Sequence, residues 1–416
     1  GRNIKDLSGT SYSELAFEIF KLYIDDIPEL DLRKIVDKSY SNFSDPRVTP
    51  LVKVDEDYIL ELFHGPTLAF KDIALQFLGN VFEHILNQQN YFLNVLGATS
   101  GDTGSAAIAG LKGKKNINVF IMFPEGRTSS VQEKQMTTVM DSNIHSIAID
   151  GSFDDCQSLL KEVFRDLSFK QELKLGAVNS VNWARVLAQT VYYFSIYIQL
   201  GMPKAFQVAV PTGNFGNIFS AYIAKQMGLP IERLILATNQ NDILHRAISS
   251  GDYKSNKVEE TISPSMDIQV TSNFERLLYD LYGKSSDKMK SVMKRIKENS
   301  FKIDEDILLN LQNIFTSESL NEIEILNTIK DFYKKYKIII DPHTAIGVGA
   351  IKKLKLNDVV VLATAHPSKF PKATEKAIAK TENLPNSLDY IYDKEEKFKV
   401  ISNDLDKVKS YVTNSL

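Results

Sequence analysis

Two short apolar runs in this chain each end in a turn of small residues and then continue with a helical pattern. The first is Tyr91-Phe92-Leu93-Asn94-Val95-Leu96, followed by Gly97-Ala98-Thr99-Ser100-Gly101-Asp102-Thr103-Gly104-Ser105 and a helical stretch to residue 111. The second runs over 205–210, turns through Pro211-Thr212-Gly213-Asn214-Phe215-Gly216-Asn217, and continues as a helix over 218–225. A strand that passes through a tight turn into a helix is the repeating half of a parallel α/β sheet, because parallel neighbours need a crossover between them. Further strand-like runs lie at 118–123, 145–149, 234–238 and 359–363, with helical spacing between them, as at 183–199. The expectation is an α/β protein of two lobes with mostly parallel sheets, preceded by a helical lead-in over 1–40. The boundaries read as 1–75 for the lead-in and start of the core, 76–185 for a smaller lobe, and 186–416 for a larger one. The charge-rich stretch 250–337 reads as a helical insertion in the larger lobe.

Each small-residue turn presents several backbone N–H groups near a helix N-terminus, which suits an anion. The turn at 99–103 can cup a carboxylate or phosphate; the plainer alternative is a tight strand-to-helix turn capped by Asp or Thr. The glycines at 213 and 216 let backbone approach a phosphate closely. That turn lacks the spacing of a dinucleotide fingerprint and the Gly-Lys-Ser/Thr ending of a P-loop.

Phe63-His64-Gly65-Pro66-Thr67-Leu68-Ala69-Phe70-Lys71-Asp72 places a lysine in an apolar setting at the start of a helix. Burial penalises the ammonium, and the helix N-terminus pushes the same way. A neutral amine is a nucleophile able to form a Schiff base with an aldehyde. The alternative is a lysine whose stem lies over the core with its head in water. A phosphate cup, a carboxylate cup and an activated lysine together are what pyridoxal phosphate and an amino-acid substrate require.

The charge balance argues against polyanionic partners. Among 416 residues the net charge is −3, so no basic surface for nucleic acid or membrane is expected. The single cysteine, Cys156, forbids an internal disulfide, which fits a reducing compartment such as the cytoplasm. The six histidines do not fall in metal-ligand spacing, and no metal site is expected. Arg127 and Lys134 are weaker candidates for anion contacts. His64, His343 and His366 read as hydrogen-bonded positioning groups.

In order along the chain stand HGPTLAFKD, ATSGDTG, NSVNWAR, PTGNFGN, DPHTA and TAHPSKF, spanning 64–370. As a set they resemble the motifs of the threonine synthases, fold type II pyridoxal-phosphate enzymes with a tryptophan synthase β-like fold. The resemblance implies that Lys71 holds pyridoxal 5'-phosphate and shuttles protons. It implies that Gly213, Asn214, Phe215, Gly216 and Asn217 bind the cofactor phosphate, and that Thr364 faces the pyridine nitrogen. Asp102 would lie by the cofactor, where related enzymes often carry Asn, and two anions would repel unless it turns away or takes a proton. Thr99, Ser100, Gly101 and Thr103 would hold the substrate carboxylate, and Asn179, Ser180 and Arg185 its phosphate. The implied reaction takes O-phospho-L-homoserine and water to L-threonine and phosphate, the last step of threonine biosynthesis, in a monomer or homodimer. A phospho-lyase releasing 2-oxobutyrate, ammonia and phosphate, and a non-catalytic binding protein of this fold, stay open. Family members begin with a Gly-Leu-Phe-Pro type segment that is not found at the start of this chain.

Overall fold

The computed structural model describes residues 4–386 and 388–416. In chain order the strands are β1 (Leu51–Val54), β2 (Asp57–Glu61), β3 (Leu93–Ala98), β4 (Ile117–Pro124), β5 (Ile144–Asp150) and β6 (Leu175–Gly176). They continue as β7 (Phe206–Pro211), β8 (Ile231–Thr238), β9 (Phe315–Ser319), β10 (Val359–Ala363) and β11 (Lys399–Ser402). They form two sheets, and the chain divides into two compact units around them.

The first unit comprises residues 4–23, 45–63 and 185–382 of the described chain. Its six strands run in the order β1-β2-β10-β7-β8-β9. All neighbours are parallel except β1 and β2, an antiparallel hairpin. The central strands are apolar without alternation, as at Val359-Val360-Val361-Leu362-Ala363, because helices bury both faces. The stretch 250–337 is helical at Phe274–Leu281, Ser286–Lys297, Glu305–Ile314 and Glu322–Tyr336. It also contributes β9, which hydrogen-bonds to β8 as the sheet edge and is only partly buried.

The second unit comprises 24–44, 64–184 and 383–416. Its five strands, in the order β11-β5-β4-β3-β6, are all parallel. The units interleave along the chain instead of following one another across a boundary near 185. The hairpin β1-β2 joins the larger sheet, and the C-terminal strand β11 joins the smaller one.

In this second unit the helix Lys71–Gln89 packs on the helix Asp102–Leu111. The crossing is close because both contact residues are glycines. A Cβ on Gly79 would sit 2.1 Å from the Gly110 carbonyl oxygen, and one on Gly110 would sit 2.5 Å from the Leu75 oxygen. Among the described residues no helix is long and apolar enough to cross a membrane.

Candidate active site

In a parallel sheet the ligand-binding loops gather at the carboxyl ends of the strands. In the second unit, the turn after β3, the start of the helix after β4 and the segment after β6 share that edge, since the three strands are adjacent and parallel.

Lys71 is the first residue of its helix, as its Gly-Pro setting implies. Asp72 positions it. The buried carboxylate accepts from the Thr67 N–H at 2.8 Å and from the Thr67 hydroxyl at 2.6 Å, and it packs where a Cβ on Gly65 would stand. These contacts fold the 65–70 loop tightly enough to place Leu68 at φ 60°. The Lys71 side chain is 12% exposed, and its Nζ lies 3.4 Å from Asp102 Oδ2 and 5.2 Å from the Phe70 ring centre. A carboxylate thus lies within reach of the amine that the sequence marks out. Asp102 turns towards that amine, and its Oδ1 accepts from Gln132 Nε2 at 2.8 Å.

The 99–104 turn is organised from within. Thr99 Oγ1 accepts from the N–H groups of Gly101 (3.0 Å) and Gly104 (2.9 Å), so two amides of the cup are held by the turn's own hydroxyl. Ser100 and Thr103 are half-buried at the same turn, and Gly101 takes φ 146°. Asn179 is exposed and its Oδ1 accepts from the Val181 N–H at 3.1 Å, while Ser180 beside it is half-buried.

In the first unit β7 and β10 are parallel neighbours, with Val361 level with Ala209. The same register carries Thr364, just beyond β10, to the edge where the 212–217 turn leaves β7. That turn is held by its own side chains. Asn217 Oδ1 accepts from the Thr212 hydroxyl at 2.6 Å and its Nδ2 donates to the Pro211 carbonyl at 2.8 Å. The Asn217 amide thus serves the loop. Phe215 is buried against Phe274 and Phe315, and Asn214 is tied to Ser272 and Asn273. The helix Gly216–Gln226 begins at Phe215, in the left-handed region at φ 64°, with no side chain capping it. A helix start without a side-chain cap suits a phosphate dianion.

One side of the helix Trp183–Gln199 runs along this turn through Arg185, Gln189 and Tyr193, spaced by four. Tyr193 donates its hydroxyl to the Asn217 carbonyl at 2.7 Å. Gln189 Oε1 lies 3.8 Å from where a Cβ on Gly216 would sit. Arg185 is 4% exposed, with Nε and Nη1 lacking any hydrogen-bond partner, and burial pushes its guanidinium down to about 10. A buried cation without partners is costly, and an anion is what removes the cost.

The three motif histidines are each hydrogen-bonded. His343 Nε2 accepts the Ser265 N–H at 3.3 Å, which leaves its proton on Nδ1, 2.8 Å from Asp341 Oδ1. Ser265 in turn backs Gly213, whose Cβ would stand 2.8 Å from the Ser265 oxygen. His366 Nδ1 accepts the Ser368 N–H at 3.3 Å, and His64 contacts Ser44. Lys134 pairs with Glu396 at 3.0 Å. Cys156 is buried and its thiol is pushed up to about 12 by burial. Among the described residues no cluster of His, Cys, Asp or Glu could hold a metal ion. Three residues escaped sequence reasoning. Asp72, Gln132 and Lys369 were not singled out by their sequence setting, and Lys369 is fully buried within the last motif.

The parts fit a pyridoxal phosphate group: an uncapped helix start with glycines for its phosphate, a hydroxyl at the same edge, and a mostly buried amine for its aldehyde. A family model for pyridoxal-phosphate dependent enzymes matches residues 44–298. Models for the threonine synthase N terminus and C-terminal region match 1–40 and 344–412. The chain is 44% identical over 413 residues to threonine synthase of Pseudomonas aeruginosa, covering 97% of this chain and 88% of the relative. It superposes on the PLP-bound threonine synthase of Brucella melitensis with a TM-score of 0.96 at 44% identity, covering 99% of this chain and 90% of that one. The yeast threonine synthase structure gives a TM-score of 0.93 at 42% identity, with the same coverage. The fold and its parts are those of a fold type II pyridoxal-phosphate-dependent enzyme. Within that class the chain belongs to the threonine synthase family.

Proposed function

We propose that this chain converts O-phospho-L-homoserine and water to L-threonine and phosphate. The observation that carries the reading is Arg185, a buried guanidinium with two unpartnered nitrogens on the helix beside the 212–217 turn. Membership of the threonine synthase family supports it independently.

Bound pyridoxal phosphate supplies an electron sink for bonds broken at the substrate Cα. The 213–217 backbone and the start of the Gly216–Gln226 helix bind its phosphate, and Thr364 offers a hydroxyl to the ring nitrogen. A hydroxyl does not force that nitrogen to be protonated, so the sink is milder than one paired with a carboxylate. Lys71 would hold the aldehyde, and its amine would carry protons at Cα, Cβ and Cγ. Thr99, Ser100, Gly101 and Thr103 orient the substrate carboxylate. Arg185, with Asn179 and Ser180, holds the substrate phosphate, for which the planar guanidinium fork is suited. Breaking the Cγ–O bond releases phosphate, and water adds at Cβ. The enzyme works in the cytoplasm on this small-molecule substrate, as a monomer or homodimer.

Product analysis with pyridoxal phosphate supplied tests the reading. Threonine and phosphate in equal amounts are expected. Equal 2-oxobutyrate, ammonia and phosphate without threonine would replace the synthase by a phospho-lyase, and no turnover would leave a binding protein.

A further inference from the structure

The helix Ser130–Thr137 opens with a capping box. The Gln132 N–H donates to Ser129 Oγ at 3.2 Å, and Gln132 Oε1 accepts the Ser129 N–H at 3.3 Å. With Oε1 taken, Nε2 is the free end of the amide, and it donates to Asp102 Oδ1 at 2.8 Å. The other Asp102 oxygen faces Lys71 Nζ at 3.4 Å. Gln132 is 2% exposed and Asp102 4%, so neither group turns to water for its hydrogen bonds. The same amide lies flat on Gly101, where a Cβ would stand 2.4–2.6 Å from its atoms.

A capping box accepts Glu or Gln at this position, because the cap needs only an acceptor. Only Gln can accept from Ser129 and also donate to a carboxylate. The amide is therefore explained by Asp102, not by the helix. We propose that Gln132 is a positioning residue of the reaction. It holds Asp102 turned towards Lys71, and so aims the amine that moves the protons. Nothing in the structure or in the family matches assigns Gln132 a role. The inference rests on Lys71 being the working amine, as in the function proposed above.

Gln132→Glu tests it without removing the cap. The new carboxylate still accepts from Ser129 but faces Asp102 as a second anion, and two touching carboxylates share one proton. At low pH the shared proton restores a donor to Asp102; at higher pH it is lost. In the full-length cofactor-free chain, the unfolding midpoint of Q132E should fall away from wild type as pH rises from 5 to 8, and approach it towards acid. In Q132E/D102N donor and acceptor are exchanged, and this pH-dependent gap should vanish. In the cofactor-loaded enzyme, kcat of Q132E should drop about tenfold at pH 8 with little change in KM, and recover as pH falls.

Wild-type midpoints and kcat at every pH in Q132E would overturn the proposal, as would a loss that is independent of pH. So would a pH-dependent gap that persists in the double variant. The stability arms do not need product formation. A chain that makes no threonine yet shows the exchange effect would fail the proposed reaction and keep the Asp102 contact.

Discussion

At the scale of single residues, Arg185 is the clearest case of a side chain whose position makes sense only with a ligand. A buried guanidinium lacking two hydrogen bonds weakens the ligand-free fold, and an incoming phosphate supplies what is missing. Arg185→Met should therefore stabilise the ligand-free chain by about 1–3 kcal/mol while sharply raising KM for the phosphorylated substrate. In the cofactor-loaded enzyme, where the 213–217 cup is filled, inorganic phosphate should raise the unfolding midpoint of wild type and not of R185M, by mass action on the folded state. A less stable R185M that still responds to phosphate would place the anion elsewhere. Arg185 was legible in the sequence as a candidate, and so was Lys71, because a lysine after a Gly-Pro turn in an apolar run is unusual. Its partner was not foreseen as a partner: a carboxylate at the start of the next helix becomes a neighbour only through packing. Asp72 was hidden for a related reason, since its partner Thr67 and the Gly65 it packs against precede it in a loop whose shape cannot be read from composition.

At the scale of elements, the Lys71–Asp102 pair depends on how closely two helices cross. The crossing at Gly79 and Gly110 leaves no room for a methyl group, since the atoms it would meet are backbone. Gly110→Ala should cost about 1–3 kcal/mol in chemical denaturation, and kcat should fall beyond what lost stability explains, because the helices carrying Lys71 and Asp102 are pushed apart. Wild-type kcat with reduced stability would separate the crossing from the chemistry. The strands and the two strand-turn-helix units were legible from apolar runs closed by small residues, and the helix Trp183–Gln199 from its spacing. The short strands were not. β9 lies at an edge with one fully buried residue, and β11 is four residues long and buries only Ile401, so neither shows a periodicity. The hairpin β1-β2 lies within a stretch assigned to the lead-in and start of the core.

At the scale of the whole molecule, each sheet recruits segments from distant parts of the sequence. The larger sheet takes β1 and β2 from before the smaller unit's core, and the smaller takes β11 from the C-terminus. A sequential reading of boundaries misses this, because strand order is decided by which edges are left to pair and not by chain order. The order of motifs survives that rearrangement, and for that reason the family was legible where the partition was not. The residues assigned to the cofactor phosphate stand at the carboxyl edge of one sheet, and Lys71, Asp102 and the substrate-carboxylate turn belong to the unit of the other.

The central claim is that phosphate leaves by breaking carbon–oxygen bonding and that water then adds to carbon. Turnover of O-phospho-L-homoserine in water labelled with oxygen-18 reads this directly. The account predicts one labelled oxygen in the threonine hydroxyl and none in the phosphate at early times. Label in the phosphate with homoserine as the product would mean attack at phosphorus, and would contradict it.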